Sequence, residues 1–265
     1  MADVPIAHGA NSLGTPSSGD SIYILGGNTS IDTAVDQSAL AAGLVNFEVS
    51  RAYTAHIGSS GNPVYVEITG RLIYAAQSGS MYYRGKDAGD ATVLIQIHTG
   101  GEFHAVTDGT ATRFEMGSGV AKIYGPFIAT NIRMGGGYLT ILDDTSTDPT
   151  LIHMMSGGTV FTERGMTTGT VDQGTLIIEA GTNAITTLNC SGPPQVARTI
   201  LTESGTITTL NATGHIPDTT KLTNPMTITN TTINMTLPGA AAFLQNPLIT
   251  FTNAATEYIS DGRVW

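Results

Sequence analysis

His98, Glu102 and His104 fall within one short stretch, His98-Thr99-Gly100-Gly101-Glu102-Phe103-His104. Side chains two apart on a strand share a face, so Glu102 and His104, with His98 nearby, could contribute to a metal site. Two ligands around a Gly-Gly turn also arise readily by chance in a glycine-rich β protein, and no metal is expected here. Glu163, Glu179 and Glu203 each close a strand as Glu-x-Gly, and paired carboxylates on neighbouring coils could cleave a glycosidic bond. Their recurrence with the repeat argues instead for a corner or a solvated face. A sugar groove also calls for exposed aromatics, and residues 166–247 hold only Phe243.

Asp143, Asp144, Thr145, Ser146, Thr147 and Asp148 offer oxygen ligands in the manner of a calcium loop. Pro149 stands where such a loop needs a flexible Gly, and its twelfth position carries no Glu, so a plain turn is expected. Gly117-Ser118-Gly119 and Gly135-Gly136-Gly137 complete no dinucleotide fingerprint; no Gly-Lys-Ser/Thr loop and no Gly-x-Ser-x-Gly elbow occurs. No catalytic, cofactor-binding or metal-ligating residue is therefore assigned. The chain is expected to be a non-enzyme without a cofactor.

The elements that would position these groups are short β runs divided by Gly, Asn and Asp, from Val45 onward. They include residues 45–49, 64–68, 92–97, 103–106, 120–124, 127–132, 138–142, 151–155, 176–178 and 226–229. Asp36-Gln37-Ser38-Ala39-Leu40-Ala41-Ala42 alone has helical composition, with Asp36 as its cap. Many short strands without helices leave a sandwich, a barrel or a solenoid.

Repetition decides among them. Ile185-Thr186-Thr187-Leu188-Asn189-Cys190-Ser191-Gly192 returns as Ile207-Thr208-Thr209-Leu210-Asn211-Ala212-Thr213-Gly214, and a degraded third copy follows at Thr231-Thr232-Ile233-Asn234. Gly-Gly precedes an apolar run at Gly100-Gly101, Gly136-Gly137 and Gly157-Gly158. An offset of about 22 residues is one coil of a parallel β-helix. Coils stack at the strand spacing, so Asn189, Asn211 and Asn234 are expected in one column at a corner, flanked by ladders of Thr. The expected fold is all-β, a parallel β-helix with an extended N-terminal arm and small end caps. Residues 1–44 would form the arm and cap, 45–240 the solenoid body and 241–265 the C-terminal cap, in which Phe251, Tyr258 and Trp265 cover one end.

Composition narrows the function classes. Charged residues are 12 % of the chain, against about 25 % in an ordinary globular domain. Apolar residues at 40 % are enough for a core, so a bland polar surface points to packing against neighbours rather than to disorder. Net charge is −10 and the lysines are only Lys86, Lys122 and Lys221, which speaks against nucleic acid as a partner. Cys190 is the single cysteine; no internal disulfide forms, in keeping with an intracellular folding compartment. The first residues lack the charged and apolar regions of a secretory signal and no later run is long enough to span a bilayer, so no membrane association is expected.

The Gly- and Thr-rich repetitive body, the scarcity of lysine, the unsigned N-terminus and the closing Arg263-Val264-Trp265 together resemble the virion proteins of tailed bacteriophages. Among these the chain is most similar to the capsid decoration, or cement, proteins of β-helical type. The resemblance implies a homotrimer on the capsid exterior, made in the host cytoplasm and seated across joints between major capsid protein subunits. The arm at residues 1–20 would help to grip the shell. A trimeric tail fibre or tailspike for receptor binding, or a β-helical polysaccharide-degrading enzyme, are the alternatives.

Overall fold

Parallel pairing runs through the computed structural model, which describes residues 3–6, 19–28, 30–31, 43–65, 67–85, 91–107, 109–124, 126–142, 148–179 and 184–259. The expected helix at residues 36–42, most of the arm, most of the Asp143–Asp148 turn and the closing Arg263-Val264-Trp265 lie outside them. The chain is a parallel β-solenoid of about 10 turns, with 60 % of it in strand and 2 % in helix. It divides into two compact units, residues 1–132 with 137–147, and residues 133–136 with 148–265.

Strands β1 (Asp3–Ile6), β2 (Ser21–Ile24), β3 (Leu44–Val49), β4 (Val64–Tyr65), β5 (Ile68–Tyr74), β6 (Ser80–Arg84), β7 (Ala91–Thr107), β8 (Thr110–Ile123), β9 (Ile128–Met134) and β10 (Tyr138–Ile141) come first. In the first unit, β1, β2, β3, β5, β7 and β8 pair successively in parallel. Period-two alternation sends every second side chain inward, so Ile22, Phe47, Leu72, Ile95 and Phe114 stack as one buried column. Met81, Phe103, Ala121 and Leu139 form another across β6, β7, β8 and β10. Pairing thus starts at Asp3, within the segment expected to be an arm, because Ile22 and Ile24 continue the inward columns.

Two of the three Gly-Gly signals, Gly100-Gly101 and Gly136-Gly137, sit at a shared corner. Register places Gly79, Gly101, Gly119 and Gly137 immediately before β6, the second half of β7, the second half of β8, and β10. Gly79, Gly119 and Gly137 have φ of 87°, 89° and 80°, a left-handed backbone that costs other residues free energy. The corner turns there in coil after coil.

In the second unit the strands are β11 (Leu151–Met154), β12 (Thr159–Thr162), β13 (Met166–Val171), β14 (Gly174–Ile178), β15 (Ala184–Cys190), β16 (Ala197–Leu201), β17 (Gly205–Ala212), β18 (Met226–Asn234), β19 (Ile249–Phe251) and β20 (Thr256–Tyr258), with α1 (Ala240–Leu244) between β18 and β19. One wall stacks β11, β13, β15, β17, β18 and β20; another stacks β12, β14 and β16. The repeat of the sequence is the repeat of the wall: Ile185, Leu188, Asn189 and Cys190 pair with Ile207, Leu210, Asn211 and Ala212. β19 and β20 both pair with β18, so parallel stacking continues into residues 241–265. There Phe243 of α1 is buried and meets the Phe251 ring edge-on at 5.9 Å.

The third copy sits in a different register from the one its letters propose. Thr232, not Asn234, lies beside Asn211, and Ile233 pairs with Ala212. Asn234 is buried two residues beyond, where its Oδ1 accepts from the Thr236 amide at 3.0 Å and from the Thr236 hydroxyl at 2.7 Å. It shapes a turn instead of a ladder. Asn189 and Asn211 are the next-to-last residues of β15 and β17, half-buried and inside the strands rather than at a corner. This shift also puts Thr231 in the interior column after Leu188 and Leu210, with its hydroxyl buried and unbonded. Thr231→Val, which removes that hydroxyl at nearly constant shape, is therefore expected to stabilise the fold by about 1 kcal/mol, read as a higher urea midpoint at unchanged slope.

Candidate functional site

Among the described residues polar chemistry collects in both units. In the first unit Tyr82, His104 and Lys122 occupy one outward column, because β6, β7 and β8 pair in register. The Tyr82 and His104 rings stack with centroids 4.3 Å apart and planes 4° from parallel. Packing between Tyr82 and its own strand leaves His104 only 4 % exposed. Its Nε2–H donates to the Glu102 carboxylate at 3.1 Å, so Nδ1 accepts from the Tyr124 hydroxyl at 3.2 Å. Burial pushes the His104 pKa down, against the opposing pull of Glu102, which keeps the ring neutral and this tautomer in place. Burial, then the Glu102 charge, pushes the Tyr124 phenol up. Tyr124 is thus held protonated, as a donor to His104.

Beside this stack lies a groove of about 440 Å³ lined by Ser60, Gly61, Pro63, Tyr82, Arg84, Val106 and Tyr124. The Arg84 guanidinium rests over the Tyr65 ring at 4.6 Å from its centroid. Glu102 and His104 thus share a strand face, as alternation implies. His98 takes no part in it: the register breaks between His98 and Glu102, and His98 sits beside Ser118. Among the described residues no group of three His, Cys, Asp or Glu is placed to hold a metal ion.

In the second unit, β16 pairs with β14 so that Thr199 takes an interior position after Val160 and Leu176. Its buried hydroxyl donates to His215 Nε2 at 2.8 Å, and His215 Nδ1–H donates to the Gly192 carbonyl at 2.9 Å. The Cys190 thiol is 3.5 Å from Thr199 Oγ1. Burial raises that thiol to about 12, so Cys190 is an inert core group. Burial also lowers the His215 pKa, partly opposed by its bond to Gly192. The unfolded chain then takes up a proton near the ordinary value of 6.5, whereas the folded chain does so only at lower pH. Stability from this site is complete above that value and is lost as pH falls towards the folded pKa. The urea midpoint should fall between about pH 7 and about pH 5, more steeply in the native protein than in His215→Gln.

His153, Asp172 and Ser191 meet on three successive coils. Asp172 accepts from His153 Nε2 at 2.7 Å and from the Ser191 hydroxyl, and these two bonds hold its carboxyl below the usual range. The carboxylate stands between Ser191 and the imidazole, so the hydroxyl is bonded to Asp172 and not to His153, and the Ser–His bond of a nucleophilic triad is not formed. The Glu column is also incomplete. Thr162 pairs with Ile178, which puts Glu163 and Glu179 level, but Ile178 pairs with Leu201, which puts Thr202 level with Glu179 and Glu203 one residue beyond. Glu203 accepts instead from Asn224 Nδ2 at 3.0 Å.

The outward face of β13, β15, β17, β18 and β20 carries two columns. One runs Thr168, Thr187, Thr209, Asn230 and the other Thr170, Asn189, Asn211, Thr232, Thr256. Asn211 Nδ2 donates to Asn189 Oδ1 at 2.9 Å, and Asn189 Nδ2 donates to Thr170 Oγ1 at 3.3 Å. Sequence reading found this ladder through its repeat and missed the tyrosine groove, whose members come from successive coils without sharing one register position. Among the described residues no helix is long and apolar enough to cross a membrane. Comparison with protein-family models, with curated proteins and with solved structures finds no match.

Proposed function

We propose that this chain is a non-enzymatic structural protein of a virion, one that decorates a phage capsid as a homotrimer across joints between major capsid protein subunits. The observation that carries the reading is the Thr and Asn wall of the second unit. Its nine side chains bear no charge, and several bond to each other from coil to coil. The bonded part of the wall, Thr170, Asn189 and Asn211, is held in place before any partner arrives, so less side-chain entropy is lost on contact, and an uncharged face costs less to dehydrate than a charged one.

The test is assembly. Light scattering should give a trimer, and quantitative mass spectrometry of purified particles should find the chain on heads in symmetric multiples. Thr209→Glu with Asn211→Glu places like charges on the wall and should dissociate the trimer while leaving a folded monomer by circular dichroism. A monomer at every concentration, together with absence from heads, sinks the proposal. So does shortening of host-surface polysaccharide that Glu102→Gln abolishes. A second reading, a trimeric tail fibre or tailspike for receptor binding, draws support from the tyrosine-lined groove of the first unit; location on tails would select it.

A further inference from the structure

The groove beside Tyr82 and Tyr124 is assembled from several coils. Tyr82 and Arg84 come from β6, Val106 from β7, and Tyr124 from the residue after β8, while Ser60, Gly61 and Pro63 precede β4. From the coil of Tyr82 to that of Tyr124 is two strand steps, about 10 Å, so the groove is elongated across the strands. Its volume of about 440 Å³ falls within the range of small-molecule sites, roughly 300 to 1,000 Å³.

Charge narrows the class of guest. The Arg84 guanidinium is already engaged, resting over the Tyr65 ring at 4.6 Å from its centroid. Among the described lining residues none bears a carboxylate. An ionised guest would therefore give up its hydration without gaining an open counter-charge, which is costly. The groove favours an uncharged molecule.

Hydrogen bonding narrows it further. Tyr124 donates to His104 Nδ1 at 3.2 Å, and His104 Nε2–H donates to Glu102 at 3.1 Å. This chain uses up the phenol hydrogen and leaves the phenol oxygen as an acceptor, strengthened by the bonds in series behind it. A guest must then bring its own donors. A proline-rich peptide, another common guest of aromatic grooves, offers chiefly carbonyl acceptors; a sugar offers hydroxyl donors. The rings supply the rest. Tyr82, His104 and Tyr124 follow one another on successive coils, with interplanar angles of 4° and 22°. The two tyrosines are thus held rigid, and such rings cover the C–H face of a pyranose at low entropy cost.

We propose that this groove binds a neutral oligosaccharide, with sugar rings against Tyr82 and Tyr124 and a sugar hydroxyl donating to the Tyr124 oxygen. The inference is independent of the assembly reading: it holds for a protein on a head or on a tail, and its failure leaves the Thr and Asn wall untouched.

The full chain would be titrated with maltose, cellobiose, lactose and mannobiose, using saturation-transfer NMR and calorimetry. Methyl glucoside against D-glucuronate tests the effect of charge, and an oligoproline peptide tests the rival guest. At least one disaccharide should bind with Kd of about 5 mM or tighter, and glucuronate should bind no tighter than methyl glucoside. Tyr124→Phe, which removes the acceptor, should weaken disaccharide binding several-fold at unchanged thermal stability. Tyr82→Ala should weaken it about tenfold; should that variant fail to fold, Tyr82→Leu keeps bulk without the ring and should still lose several-fold. Tighter binding of glucuronate or of the peptide, undiminished binding by a folded Tyr82 variant, or no binding of any disaccharide at about 20 mM would each overturn the assignment.

Discussion

Gly79→Ala should destabilise the fold by about 4 kcal/mol, the sum of a left-handed backbone imposed on alanine and of overpacking against a neighbouring coil. At φ 87° an added Cβ would stand 2.0 Å from the Ala55 carbonyl oxygen, and that oxygen belongs to backbone, which has no rotamer to yield. The coil could relieve the clash only by separating from its neighbour, at the expense of ladder hydrogen bonds. Gly61→Ala is the control, since nothing lies within 4 Å of its position, and it should change stability by less than about 0.5 kcal/mol. Urea denaturation of both variants reads the difference. Equal midpoints for Gly79→Ala and the native protein would show that the corner column is not a structural constraint.

The second large effect is expected inside the second unit. Leu210→Ala should cost about 3 kcal/mol, because Leu210 is fully buried between Leu188 and Thr231 in an interior column. Neighbouring coils are tied at strand spacing by backbone hydrogen bonds and cannot collapse into the space left behind. Asn211→Ala, one residue along and facing outward, loses a bond of 2.9 Å to Asn189 and should cost about 1 kcal/mol or less. A ratio near unity between the two would mean that the wall, rather than the interior, carries the stability.

The contrast between these neighbours also explains what could be read before the coordinates. Where two successive coils have the same corner, like side chains must stack, so the copies at residues 185–192 and 207–214 are visible as text and become a ladder in space. The next corner is built differently, through His215, Asp218 and Thr220, and the register that follows it is set by backbone pairing, not by likeness of letters. Asn234 therefore misses the column that its context suggests. Likewise Glu203 resembles Glu179 in its Glu-x-Gly setting yet stands one residue out of step.

The groove in the first unit was illegible for another reason. The column runs Tyr82, His104, Lys122, and the second tyrosine, Tyr124, only adjoins it, so a search for repetition passes over these residues. Glu102 and His104 were legible because strand alternation alone places them together. The partner that completes them, Tyr124, comes from the following coil. The buried Thr199 and His215 pair gave no signal at all: a lone threonine in an apolar strand position and a histidine in a loop acquire meaning only when the corner folds back over the interior.

One property follows from the in-register walls of the second unit. Since residues 185 and 207 occupy equivalent places on successive strands, excising residues 185–206 joins the chain at matching points, and the neighbouring layers can close over the gap. Each pass of chain adds one layer of about 4.8 Å, so the reach of this unit is graduated in whole steps, and evolution can lengthen or shorten it as one changes the number of bricks in a course without recutting any brick.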